Sequence, residues 1–121
     1  MSLFRAIPIH VHAALEFVAA PALLVAPFVF GFSYLAGAVS ILLAVLLIGL
    51  AASVYGGQGE RGTLSPSAHA GLDLSLAAVT LAAGIVVGLA GDLVATGFLV
   101  GFGLAHLALI ASTRFTRPLG V

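Results

Sequence analysis

The 121-residue chain is 62% hydrophobic and only 7% charged, and its four arginines balance its four acids to a formal net charge of zero. A soluble domain carries about 25% charged residues, so this chain lacks the polar surface to coat a globule in water. It has no basic block to mark a nucleic-acid partner, and without cysteine it has no disulfide, thiolate metal site or cysteine nucleophile.

Four apolar windows reach the roughly 20 residues that a spanning helix needs. They cover 8–30, 35–55, 66–90 and 93–112. The first has a rival reading as a secretory signal, with Arg5 as its charged region and "AGA" at 36–38 as a cleavage site. The run is too long for a signal core and Glu16 interrupts it, so an uncleaved span is expected. Pro21 inside it removes the hydrogen bond to the Phe17 carbonyl, which predicts a kink. "GFSY" at 31–34 and "AGD" at 90–92 read as tight turns. "GGQGERGTLSPS" at 56–67 is the polar loop, where Ser65-Pro66 or Ser67 suits a helix start. "GIVVG" at 84–88 and "GFLVG" at 97–101 permit close helix approach. Tyr34 and Tyr55 fall at expected membrane interfaces. The fold expected is all-α, a four-transmembrane-helix bundle forming a single membrane domain.

The arginines orient it. Arg5 precedes the first span, Arg61 lies between the second and third, and Arg114 and Arg117 follow the fourth. All fall on one side, so the positive-inside rule places both termini and the polar loop in the cytoplasm.

The chain also repeats itself. Residues 12–32 align with 69–89 without a gap, matching His12 with His69, Glu16 with Asp73 and Gly31 with Gly88. With a two-residue shift, "IGLAAS" at 48–53 lies over "LALIAS" at 107–112. Two units, 8–55 and 66–112, each return the chain to its starting side. They are therefore two parallel two-helix repeats about an axis along the membrane normal.

"APFVFGFS" at 26–33, followed by a small-residue turn into a second apolar span, resembles the SPW-repeat family of small bacterial membrane proteins. Ala26-Pro27-Phe28 stands where that family has Ser-Pro-Trp, and the second unit, "AGIVVGLAG" at 83–91, has no proline. The resemblance implies a two-unit bundle in a bacterial cytoplasmic membrane and implies no activity.

The candidate site is a polar layer. His12, Glu16, His69, Asp73 and His106 all fall within roughly 12 Å of the cytoplasmic span ends at 1.5 Å per residue. Residues four apart share a helix face, and an ionised group facing lipid is costly, so the two His/acid pairs should turn inward, with His106 approaching from the fourth span. Three readings follow. The groups can be a structural clasp that fixes helix register. They can bind a divalent transition metal, since imidazole and carboxylate suit Zn, Fe(II), Mn, Ni or Cu(II). His12 and His69 can also be axial haem ligands, though two carboxylates one turn away oppose that. A transmembrane ion path would have to cross an outer half that offers only hydroxyls such as Ser40, Thr80 and Thr96. His10 points away from His12 and belongs at the headgroups. Ser65 and Ser67 have nothing to activate them and no phosphate-binding loop is present, so no enzymatic activity is expected. The expected partners are the lipid bilayer and other membrane subunits or copies of the chain. The functional expectation is a small membrane protein that binds metal in its polar layer, or else an accessory subunit of a larger membrane complex.

Overall fold

The structure is a computed structural model that describes residues 5–55 and 64–116. Arg61, Arg117 and Gln58 lie outside the described residues, as does the side chain of Tyr55. A two-residue strand β1 (Ile7–Pro8) leads into α1 (Ile9–Val29), followed by α2 (Tyr34–Tyr55), α3 (Pro66–Leu89), α4 (Leu93–Ala111) and a second short strand β2 (Thr113–Arg114). All four helices are long and apolar enough to cross a membrane. Their surface is inverted relative to a soluble bundle: Val18, Phe28, Leu89 and Leu93 stand exposed while the polar layer is buried.

The helices pack as two hairpins. α1 lies closely along α2 and α3 along α4, with lighter packing of α2 on α3 and of α1 on α4. The four thus form a ring in which α1 faces α3 across the centre, the arrangement that a two-fold along the bundle requires. β1 pairs in parallel with β2, placing Ile7 beside Thr113, and the Ile7 N–H donates to Ser112 O at 3.0 Å.

Each hairpin turns on a glycine with positive φ, Gly31 at 65° and Gly91 at 102°. Here the gapless sequence alignment needs correction. It holds at the helix starts, but α3 has 24 residues where α1 has 21. The counterpart of Gly31 is therefore Gly91, not Gly88. Gly88 remains helical and faces Thr96 of α4, and the uninterrupted apolar run after it carries no stop signal. The second helices begin at Tyr34 and Leu93, an offset of 59, which is the two-residue shift read from "IGLAAS" and "LALIAS".

Local chemistry explains the helix boundaries. Ser65 caps α3, its Oγ accepting from the Ala68 N–H at 3.1 Å with Pro66 in the first turn. Asp92 caps α4, Oδ1 accepting from the Ala95 N–H at 3.0 Å, while its Oδ2 accepts from the Ser33 N–H at 2.7 Å in the other hairpin's turn. These backbone N–H groups, Ser33 first, hold the Asp92 carboxyl below the usual carboxylate range. α1 runs unbroken through both Pro21 and Pro27. Pro27 has no N–H for the Leu23 carbonyl, and the Ser40 hydroxyl of α2 donates to that oxygen at 2.6 Å. Of the two GxxxG patterns, 84–88 packs against α4, whereas Gly97 and Gly101 look onto open space.

Beyond the polar layer, towards the turns, the interior is apolar. Ala20, Leu23, Leu43, Leu47, Val87 and Leu99 form one buried cluster. The buried hydroxyls there, Ser40 and Thr80, are spent on the Leu23 and Leu76 carbonyls.

Candidate metal centre

All five polar-layer residues meet at the bundle centre. Relative exposure is 0% for His12 and Asp73, 1% for Glu16 and His69 and 6% for His106. The i,i+4 spacing aligns each His with its acid, and the pseudo-two-fold brings the pairs face to face. Every imidazole presents Nε2 to the carboxylates. His12 Nε2 lies 2.6 Å from Asp73 Oδ2 and 3.1 Å from Glu16 Oε2. His69 Nε2 lies 3.2 Å from Asp73 Oδ2 and 3.5 Å from Glu16 Oε1. His106 Nε2 lies 2.9 Å from Glu16 Oε2 and 3.4 Å from Asp73 Oδ1.

The outer nitrogens explain this orientation. His12 Nδ1 is 2.7 Å from Thr113 Oγ1, and that hydroxyl already donates its one proton to Leu109 O at 2.6 Å. Nδ1 must therefore be the donor. His69 Nδ1 is 3.3 Å from Ser53 Oγ, whose proton goes to Leu50 O at 2.6 Å, so the same assignment follows. With Nδ1 protonated, a neutral ring turns the bare Nε2 lone pair towards the acids. A lone pair facing carboxylates is repelled unless a proton, on the ring or on the acid, or a metal ion lies between them. The tie also crosses the repeats: Thr113 follows α4 and holds His12, while Ser53 near the end of α2 holds His69.

Three buried atoms in the layer make no hydrogen bond, namely Glu16 Oε1, Asp73 Oδ1 and His69 Nε2. Unmet buried polar atoms are costly and here converge on one point. His12, Glu16, Asp73 and His106 each offer a ligand atom, all within 4.8 Å of one another. Ligand bonds of about 2.0–2.2 Å put neighbouring donors of one ion roughly 3.0–3.5 Å apart. Five of the six nitrogen–oxygen separations, from 2.9 to 3.5 Å, fit or nearly fit that range. The sixth, 2.6 Å, is the length of a charge-assisted hydrogen bond. The buried His/Glu/Asp cluster is able to hold a metal ion, with His69 closing one side.

A haem has no place between the axial candidates. The His12 and His69 ring centroids are 5.6 Å apart and edge-on at 78°, and both Nε2 atoms face carboxylates rather than a gap. His10 is exposed and outside the cluster.

No family model, curated protein or solved structure matches this chain. The functional reading therefore rests on the cluster.

Sequence reasoning missed three of its neighbours. Thr113 lies just beyond the expected fourth span and is fully buried. Ser53 was a repeat marker only. Phe115 stacks edge-on against His12 at 5.2 Å and tilts against His69 at 6.2 Å, roofing the layer at the end where β1 and β2 meet. A helix-period search stops before Thr113 and Phe115. The signal available was a hydroxyl and an aromatic directly after a span that carries a histidine.

Proposed function

We propose that this chain is a metal-binding integral membrane protein. Its site holds one divalent transition-metal ion between His12, Glu16, Asp73 and His106, with His69 as a further ligand or a hydrogen-bonding neighbour. The observation that carries this reading is the tautomer. Two imidazoles have Nδ1–H fixed by hydroxyls, the outer-shell arrangement that leaves Nε2 free for a metal and sets the ring plane. Two carboxylates neutralise a dication, which removes the objection to buried charge. The donor set contains no sulfur, which favours Zn, Mn, Fe(II), Ni or Cu(II) over Cu(I). The site faces the cytoplasm on the positive-inside reading, with Arg5 and Arg114 at the same end of the bundle, and the 26–33 resemblance suits a bacterial inner membrane.

Elemental analysis of the detergent-purified protein tests this, followed by Co(II) titration with a visible spectrum. One equivalent of metal is expected, falling sharply in His12→Ala and as pH is lowered, because the ligands must lose protons. Metal content that is negligible in the wild type after loading, or unchanged in a His12→Ala/His69→Ala double variant, sinks the proposal. A cysteine at Ser33 should label from outside intact cells and one at Gln58 should not; the reverse pattern overturns the orientation.

One observation favours a second reading, a structural clasp in an accessory subunit. The 2.6 Å His12–Asp73 contact is already satisfied as an ion pair without a metal. Loss of thermal stability in His69→Ala with no metal bound to the wild type would establish that reading.

A further inference from the structure

An ion held between Glu16 and Asp73 needs a way in, and apolar walls close most approaches. Towards the turns, Leu23, Leu47 and Leu99 are buried in the apolar core. A lateral crevice between α1 and α4 reaches Glu16 and His106, but only past Leu15, Val18, Phe102 and Leu109, and it opens beside Val18 on the outer, apolar surface. A dication on that path would lose its water and gain no ligand. The end where the chain termini meet is different. There the hydroxyls of Thr113 and Ser53 stand against the outer nitrogens of His12 and His69, at 2.7 and 3.3 Å, so polar groups continue outward from the layer. Over both imidazoles lies the half-buried Phe115, its ring 5.2 Å from that of His12 and 6.2 Å from that of His69.

We propose that residues 113–116 form a strap that gates the cluster, with Phe115 as its plug and the β1–β2 pair as its latch. The ion enters and leaves at this end of the bundle. This role takes its cargo from the metal-binding reading above and deepens it. The latch has two residues on each strand, Ile7 beside Thr113 and Pro8 beside Arg114, closed by the Ile7 N–H on Ser112 O at 3.0 Å. So short a pair is marginal alone, and chain ends open locally at far lower cost than the whole fold. The packing of Phe115 on two imidazoles adds what the latch lacks. The strap also carries Thr113, whose hydroxyl fixes the His12 ring. Lifting the strap withdraws that hydroxyl, so one motion opens the path and frees the ligand. A site that loads and unloads at one end suits a store or sensor of the ion, not a carrier that passes it across a membrane.

The test times Co(II) loading of the detergent-purified protein, and its release into excess EDTA, by the visible band. Phe115→Ala lowers the barrier in both directions, so entry and exit should each speed up roughly tenfold while the Kd moves by less than about threefold. A packing role alone would shift stability or Kd without raising both rates. Pro8→Cys/Arg114→Cys puts a disulfide across residues that are Cα partners, in a chain with no cysteine of its own. Oxidation should slow exchange and reduction restore it. If Phe115→Ala fails to fold, that comparison within one protein decides. Ala105→Leu, which narrows the lateral crevice, should leave both rates unchanged. Equal rates in the oxidised and reduced pair, or slower exchange in Ala105→Leu, overturn the gate. Diethyl pyrocarbonate modification of the same variants without metal, mapped by mass spectrometry with exposed His10 as reference, separates the gate from its cargo. His12 and His69 should react faster in Phe115→Ala and more slowly in the oxidised pair. That pattern in a protein that takes up no metal removes the metal site and keeps the gate; equal reactivity in all variants removes the gate.

Discussion

His12 pairs more tightly with Asp73, on the opposite hairpin, than with Glu16 on its own helix, at 2.6 Å against 3.1 Å. The spacing that put His12 and Glu16 on one face was correct, but the closer partner comes through the two-fold. Breaking this buried pair strands a charge. Asp73→Leu alone is expected to destabilise the bundle by about 3 kcal/mol. His12→Leu/Asp73→Leu should recover a large part of that loss. Thermal unfolding in one detergent measures both, and additive losses would show that the contact carries no coupling.

Thr113→Val keeps the shape and removes the acceptor for His12 Nδ1–H. If the layer binds metal, affinity should fall by roughly 10–100-fold while the helical content stays unchanged. Ser53→Ala should act more weakly, since its contact with His69 is 3.3 Å against 2.7 Å for Thr113 with His12. Competition against a chromophoric chelator gives both values. Equal affinities in the wild type and Thr113→Val would remove the tautomer argument.

Ser40 serves a carbonyl that Pro27 leaves open. Ser40→Ala should cost about 0.5–1.5 kcal/mol. In a Pro27→Ala background residue 27 regains an N–H for Leu23 O, and the same substitution should cost less. A double-mutant cycle in stability reads the difference, and the absence of coupling would mean that Ser40 acts through packing.

Asp92 predicts a pH dependence at the far end of the bundle. Its carboxyl is held below the ordinary range by the Ser33 and Ala95 N–H groups. The carboxylate thus contributes stability that is fully present above the unfolded value of about 3.9 and is lost as pH falls through the lower folded value. Asp92→Ala should lower the melting temperature at neutral pH, and the gap from wild type should narrow in strong acid. A gap that is constant from neutral pH into strong acid would contradict the assignment.

Much of the fold was legible because lipid leaves few options. Apolar windows at 8–30 and 93–112 become α1 and α4 within a residue or two, and rare residues at a fixed offset marked the layer. The extra turn of α3 was legible in the 66–90 window and the "AGD" turn, but not in the gapless alignment, which matched Gly31 with Gly88. Not legible was the contact of Thr113 with His12, which joins positions 101 residues apart and depends on how the chain leaves α4. Pro21 drew notice as the helix breaker, yet Pro27 is the buried proline whose freed carbonyl receives a partner from another helix.

The two hairpins touch each other lightly along their apolar lengths, and a bilayer provides no hydrophobic force to press them together. Polar contacts join them instead, at the Ser33–Asp92 bond, at the β1–β2 pairing and above all in the layer on the axis, where neither half owns a complete set: His12 pairs with Asp73, and His69 with Ser53 and Glu16. A hairpin expressed alone would bury a histidine and an acid with half their neighbours missing. The same five side chains that form the cluster thus also act as the recognition code by which one half of the chain finds the other, and an ion bound there would fasten the two halves together.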